Sequence, residues 1–195
     1  MAISAQQVQK LRQISGAGVM DVKQALAEAE GDLEKAHEIL RKKGILKAAK
    51  KADRETRQGR VEAYVHTNAK IGVLVKLYCE TDFVANNEQF SRLSHDIAMH
   101  IAAANPRCIA PSDIPPQDLE IERRIYEEQL QEVDKPQNIR QQIIDGKMKK
   151  FAEEVCLLTQ SFVKDPDKTV GDLIKEYIAK LGENIQVGGF VRLEL

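Results

Sequence analysis

The chain has 195 residues and a mass of 21.9 kDa, which is one domain or one with a small appendage at about 100–200 residues per domain. Its 29 Lys and Arg nearly balance 30 Asp and Glu, so the net charge of −1 excludes a polybasic coat for nucleic acid or membrane, though not a local patch. No apolar run reaches the roughly 18–20 residues of a membrane span, and MAISAQQVQKLRQ lacks the basic and apolar regions of a signal peptide. Cys79, Cys108 and Cys156 are odd in number and widely spaced, with no CxxC pair, which predicts reduced thiols in a cytoplasmic setting. Aromatic residues make up 5% and Trp is absent, so the core is expected to be aliphatic and largely helical.

Three short helices are predicted in the first 45 residues. Ser4 and Gln7 form a capping box, with Ile3 and Val8 as the staple across it, and Val8, Leu11 and Ile14 continue one apolar face. Ser15-Gly16-Ala17-Gly18 ends that helix. The second carries Val19, Val22, Leu26 and Ala29 on one face and stops before Gly31. Asp32 caps the third, whose stripe is Leu33, Ala36, Ile39 and Leu40, and Gly44 is expected to stop it. So small a unit is marginal alone and is expected to dock on the rest of the chain or on a partner. Residues 41–60 follow as a connector, with nine Lys and Arg against Asp53 and Glu55. It reads as a solvated hinge helix or as a contact for an acidic partner or RNA. No aromatic residue is interleaved to stack on bases, which argues against sequence-specific RNA reading.

The period then becomes alternating. Val61, Ala63 and Val65 alternate with Glu62, Tyr64 and His66; after a turn at Thr67–Lys70, Ile71, Val73, Val75, Leu77 and Cys79 repeat the pattern. This predicts an antiparallel hairpin with one buried face. A closing run, Ile185, Val187, Gly189, Val191 and Leu193, is expected to add a third strand, because a lone hairpin is barely stable. Helices are predicted over 88–104, 118–132, 138–163 and 169–181, with Thr169 capping the last, Gly182 ending it and Gly146 breaking or kinking the third. An acidic stretch covers 112–134. The fold class is α+β, a small three-stranded antiparallel sheet covered by helices, with units at 1–53 and 54–195.

Motifs of chemistry are missing. There is no phosphate loop, dinucleotide-binding glycine motif, GxSxG or HExxH, and His95 and His100, five apart, do not share a helix face as metal ligands would. Cys79 lies on the apolar face of its strand and reads as a buried, inert thiol. These absences predict a protein that is not an enzyme and has no cofactor or metal. One segment stands apart: Thr81-Asp82-Phe83-Val84-Ala85-Asn86-Asn87, at a strand-to-helix corner. Asp82, Asn86 and Asn87 suit a turn or cap. Phe83 and Val84 either staple the helix to the core, as aromatics usually do, or form an apolar knob that fills a partner's pocket.

At these residues the chain resembles the elongation factor Ts family. The resemblance is carried by Leu11-Arg12 with Gly16-Ala17-Gly18-Val19-Met20-Asp21-Val22-Lys23 and Ala25-Leu26, and by Gly31-Asp32, Glu34-Lys35-Ala36 and Leu40-Arg41-Lys42-Lys43-Gly44. Glu80-Thr81-Asp82-Phe83-Val84-Ala85 and Gly182-Glu183-Asn184-Ile185 extend it over nearly the whole length. The resemblance implies a ubiquitin-associated-like N-terminal domain and an elongation factor Tu-binding core. It implies a guanine-nucleotide exchange factor for the GDP form of elongation factor Tu, with partner contacts at Arg12, Val19, Met20, Lys23, Thr81, Asp82, Phe83 and Val84. In the family the Phe intrudes between helices of the GTPase, disturbs its Mg²⁺ and phosphate site, and GDP leaves. With one hairpin and one closing strand, this chain is similar to the short form with a single core unit, which implies a homodimer. No Cys stands near the C-terminus to bridge two copies, and Gly188-Gly189 precedes Phe190 where many relatives are basic. The competing readings are a helical binding module without exchange activity and an RNA-binding translation accessory. The Thr81–Ala85 corner is superfluous to the first of these.

Overall fold

The computed structural model describes residues 3–131 and 136–195. Glu132 and Asp134, at the end of the acidic stretch, and residue 132 of its helix lie outside the described residues. Three helices lead: α1 (Ala5–Ser15), α2 (Val19–Glu28) and α3 (Leu33–Ala49). Their ends follow local chemistry. Ser4 and Gln7 form the reciprocal capping box, Gly16 closes α1 at φ 65°, and the Asp32 carboxylate accepts the Glu34 and Lys35 N–H groups. Leu11, Val22, Ala25, Leu26, Ala36 and Leu40 form their shared core. Ile14 and Val19, expected on the apolar faces, are instead exposed.

Gly44 does not stop α3, which runs on to Ala49. A Cβ at Gly44 would stand 3.4 Å from the Ala179 Cβ, so the glycine marks a close approach to another helix rather than a chain stop. The front of α3 closes the N-terminal core, while Ala48 at its end belongs to the main one. The basic stretch is thus the second half of α3 plus a turn. Its charges are largely paired within the chain: Lys43 with Glu28 at 2.7 Å, Lys47 with Asp21 at 2.8 Å, Arg60 with Glu62 at 2.9 Å.

The main core is built on a sheet of order β1-β2-β5, formed by β1 (Gln58–Val65), β2 (Ile71–Cys79) and β5 (Gln186–Glu194), all antiparallel. A short turn, α4 (Asp82–Ala85), leads into α5 (Glu88–Ala104). The helices α6 (Pro116–Gln131) and α7 (Gln137–Val155) pack as a hairpin and α8 (Val170–Leu181) precedes β5. Val73, Val75, Leu77 and Cys79 of β2 face α5 and α8, whose Phe90, Leu93, Ile97, Ile101, Leu173 and Ile178 fill the other side. Mixed helix and sheet, with helices on one face, is the α+β arrangement expected.

Several local expectations fail for identifiable reasons. The register pairs Ala63 with Leu74 and Val61 with Lys76, which puts Val61, Ala63 and Val65 on the outer face. The inner side of β1 is polar: Glu62 pairs with Arg60 and sits 3.4 Å from His95 of α5, while the Tyr64 hydroxyl is 3.0 Å from His66. In β5 the phase of the apolar run breaks between Val187 and Gly189. Leu77 faces Val187 and Lys76 faces Gly189, so Gly188 is the extra residue of a bulge. Val187 and Phe190 turn inward, and Val191 and Leu193 are exposed. A Cβ on Gly188 would come 2.3 Å from the Tyr78 ring. The helix expected over 138–163 ends at Val155. A hairpin of β3 (Ser161–Phe162) and β4 (Asp165–Thr169) follows, and Gly146 leaves α7 unbroken. Cys108 and Cys156 are neighbours in space, their Sγ atoms 3.0 Å apart, with the Cys156 thiol pushed up to about 12 by burial and by Cys108. None of the described helices is long and apolar enough to cross a membrane.

His100 of α5 is buried and fully satisfied as a neutral ring. Its Nδ1 accepts the Val163 N–H at 3.2 Å, which leaves Nε2 to donate to Gln160 Oε1 at 3.0 Å. Burial lowers its pKa from the ordinary 6.5. The unfolded chain therefore takes up a proton on this side chain that the folded chain refuses. Stability should be level above pH 6.5 as far as His100 is concerned, and fall as pH drops below 6.5 towards the lowered folded value. Melting temperatures across that window should slope downward with acid, and His100→Gln should show a shallower slope. Gly188→Ala should cost about 1–3 kcal/mol, because the Tyr78 ring must move off the bulge. A melting temperature lower by roughly 2–4 °C per kcal/mol checks it.

Candidate functional site: an exposed phenylalanine on a clamped corner

β2 ends at Cys79 and the chain turns outward. Thr81 caps the turn α4, its hydroxyl accepting the Val84 N–H at 3.5 Å, and Ala85 and Asn86 return N–H groups to Thr81 and Asp82 carbonyls at 3.1 and 3.0 Å. The Asn86 side chain adds a second donor to the Asp82 carbonyl at 3.0 Å. Asn87 then caps α5 by accepting the Gln89 N–H at 2.8 Å. A turn of four residues directly between two capped ends has one settled course.

That course separates Phe83 from Val84. Val84 is 8% exposed and sits in the main core beside the half-buried Ala85, whereas Phe83 is 85% exposed. The core reading holds for Val84 and fails for Phe83. A bare phenyl ring on a tight turn gains nothing from hydrophobic burial within its own chain. Asp82 is exposed beside it. Val84, counted among the expected contact residues, faces inward and acts by anchoring the turn.

The corner is held from the far end of the chain. Glu183 Oε2 accepts the Glu80 and Thr81 N–H groups at 3.1 and 3.0 Å, and Glu183 Oε1 accepts the Thr81 hydroxyl at 2.6 Å. Glu80 returns the contact, its Oε1 accepting the Asn184 N–H at 2.6 Å. Buried Asn184 donates its amide to the Ala52 and Arg54 carbonyls at 3.1 and 2.8 Å, and Arg54 lies 3.5 Å from Glu80. Gly182, in the left-handed conformation at φ 82°, ends α8 and delivers Glu183 to this point. Cys79 is fully buried, and its thiol is pushed up to about 11 by burial and then by Glu183 and Glu80. It is inert, as its strand position implies. Glu80 and Glu183 stand within two recognised stretches of sequence, but nothing in their spacing of about a hundred residues announces that they meet.

The N-terminal candidates form a second group. Arg12 on α1 and Lys23 on α2 are exposed; so are Val19 and Met20 at the start of α2, Met20 at 76%. Ile14, expected on the apolar face of α1, is exposed as well. Among the described residues no hydrogen bond or ion pair joins this group to the Thr81–Ala85 corner. Phe83→Ala should therefore leave the melting temperature unchanged within about a degree, while Val84→Ala should cost on the order of 1–3 kcal/mol for the buried volume it removes. Thermal unfolding of the two single variants, one residue apart, checks both.

The comparisons agree with this architecture. The family model described as Elongation factor TS matches residues 3–195. A protein of Fervidobacterium nodosum named elongation factor Ts is 54% identical over 195 residues, covering 100% of this chain and 99% of that one. Proteins of the same name from Thermosipho melanesiensis, 55% identical over 190 residues (97% of each chain), and Rubrobacter xylanophilus, 50% identical over 195 (100% of each), align as fully. The signature stretches, the three capped N-terminal helices and the small helix-covered sheet thus fall into one assignment: the chain belongs to the elongation factor Ts family.

Proposed function

We propose that the protein is a guanine-nucleotide exchange factor that acts on the GDP form of elongation factor Tu during translation elongation, in a cytoplasmic setting and without enzymatic chemistry of its own. The observation that carries this reading is Phe83, 85% exposed on a turn whose every neighbour is tied down. In the proposed mechanism Phe83 enters an apolar pocket of the GTPase with Asp82 beside it, and the pocket's opening displaces the partner's Mg²⁺ and phosphate loop. GDP is held there by the cation and by backbone N–H groups, so a small displacement loosens it. The coupling is reciprocal: a factor that prefers the distorted site weakens GDP by the ratio that GDP weakens the factor. No nucleotide pocket or catalytic acid is required.

We assign the unit 1–53 to docking on the same partner through Arg12, Val19, Met20 and Lys23, and the unit 54–195 to the exchange corner. The exposure of Met20 and of its neighbour Val19 supports the first assignment. The internal pairing of Lys43, Lys47 and Arg60 supports a reading without nucleic acid. A homodimer is part of the proposal. The outer sheet face carries Val61, Val65, Leu74, Val191 and Leu193, all exposed, and a second copy laid on it would bury a matching patch in a two-fold contact.

Release of fluorescent GDP from elongation factor Tu tests the reading. The full chain should accelerate release, and calorimetry of the chain with GDP should show no site; saturable micromolar binding of GDP to the chain alone would overturn the mechanism. Phe83→Ala should slow exchange by roughly tenfold or more, since a hot-spot side chain contributes about 2 kcal/mol or more and 1.4 kcal/mol is a factor of ten. Asp82→Ala should act in the same direction and less. Met20→Ser with Lys23→Glu should weaken partner binding without unfolding. Surface changes are cleaner here than deleting residues 1–50, which removes buried Ala48 from the main core. Sedimentation at micromolar concentration should give twice 21.9 kDa, and Leu74→Glu should return it to a single copy.

A further inference from the structure

Phe83 has almost no contact of its own to set its direction, so its orientation is that of the turn beneath it. The turn in its turn hangs on one side chain from elsewhere. Glu183 gathers three donors at the point where β2 leaves the sheet: the N–H groups of Glu80 and Thr81 on Oε2, and the Thr81 hydroxyl on Oε1. Because that hydroxyl donates to Glu183, its lone pairs are turned to the Val84 N–H, which starts the turn carrying Phe83. An ionised carboxylate is suited to the place, being acceptor-only with two oxygens, and charge-assisted bonds of this kind are the strong ones. An amide would offer one oxygen and turn an NH₂ group towards a donor. Glu183 is itself fixed: Gly182 aims it, the Gly182 carbonyl accepts from Lys51, and Asn184 beside it is locked to the Ala52 and Arg54 carbonyls.

We infer that Glu183 is a positioning residue for nucleotide exchange: through the Glu80–Thr81 backbone and the Thr81 hydroxyl it holds the turn that presents Phe83. This inference rests on the exchange reading above, in which Phe83 is the intruding group. In this proposal Glu183 acts through the turn and not by contact with the partner. Without it the turn samples other directions, only a fraction of molecules presents the ring correctly, and apparent affinity falls by that fraction. A ring that does enter the pocket still does its full work. Loss of Glu183 therefore raises the concentration of factor needed for half-maximal exchange and leaves the maximal rate nearly unchanged, whereas loss of Phe83 lowers the maximal rate.

The experiment measures GDP release against factor concentration for the full chain and for Glu183→Ala, Glu183→Gln, Phe83→Ala and Glu183→Ala/Phe83→Ala, with amide hydrogen exchange on the same proteins. Glu183→Ala should raise the half-saturating concentration on the order of tenfold, with the maximal rate within about twofold. Glu183→Gln, which keeps an acceptor oxygen and the side-chain volume, should fall between it and the parent and guards against an alanine variant that fails to fold. Exchange at the Glu80 and Thr81 amides should quicken while β2 amides from Val73 to Leu77 stay protected. In the Phe83→Ala background, adding Glu183→Ala should change release less than twofold. If both Glu183 variants leave half-saturation and these two amides as in the parent while Phe83→Ala slows release, the inference is wrong and the exchange reading stands. An equal Glu183→Ala penalty with and without Phe83 also overturns it, since that is general destabilisation. Should Phe83→Ala release GDP normally, the exchange reading fails, and the inference with it.

Discussion

The pairing of β2 with β5 organises the molecule. β2 lies between its hairpin partner and a strand from the end of the chain, with Ile71 opposite Glu194 and Tyr78 opposite Gln186. Over a hundred residues are closed into that ladder, so its contacts are entropically expensive to form and depend on the core beneath them. The antiparallel direction has a geometric consequence. The residues that leave β2 at its end, Glu80 and Thr81, must stand beside those that enter β5, Glu183 and Asn184. The clamp under the exposed phenylalanine is therefore a product of sheet topology: Glu183 accepts the Glu80 N–H and Glu80 accepts the Asn184 N–H because the strands bring the two segments side by side.

The sheet carries apolar residues on both sides for different reasons. Its inner face is the core, closed by α5 and α8. Its outer face carries Val61, Leu74 and Val191 in exposed register. The Gly188 bulge produces this asymmetry within β5, turning Val187 and Phe190 inward and Val191 and Leu193 outward. The same glycine allows the Tyr78 ring to lie across the strand, with Lys76 Nζ 5.1 Å from its centroid. Gly188 thus has a local steric cause, while Gly189 beside it has open space and a φ of 150°.

Much of the architecture was legible in the sequence because it is local. The capping box at Ser4, the caps at Asp32 and Thr169 and the glycine stops at Gly16 and Gly182 are each decided within five residues, and the structure has them all, with Asp172 completing a box at Thr169. What failed depends on distant partners. Gly44 read as a stop because local propensity knows nothing of Ala179. The two faces of β1 could not be told apart by alternation, since Tyr64 and Val65 are both apolar enough to face in; the register with β2 decided it. The bulge at Gly188 shifted a phase that simple alternation carries straight through. Of the candidate contacts, Phe83 and Val84 shared one reading from sequence, and only the turn geometry divides them. Glu183 was visible within a recognisable stretch but had no stated task, because a hydrogen bond spanning 102 residues leaves no periodicity behind.

An exposed apolar ring on a turn is shape held at some cost. An exposed phenyl ring forgoes roughly 1.5–3 kcal/mol that burial would have contributed, a large part of a marginal stability. The chain separates the two demands. Stability comes from Val84, Phe90 and the aliphatic layer beneath, all buried, while the ring one residue before Val84 is left free. The carboxylate of Glu183 then supplies what burial would otherwise have given the corner, a defined direction, through hydrogen bonds that cover none of the ring's apolar surface. Under the proposed exchange reading, rigidity without burial would let the ring meet a partner with little left to order, so that the energy of its contact would go to straining the partner rather than to arranging the factor.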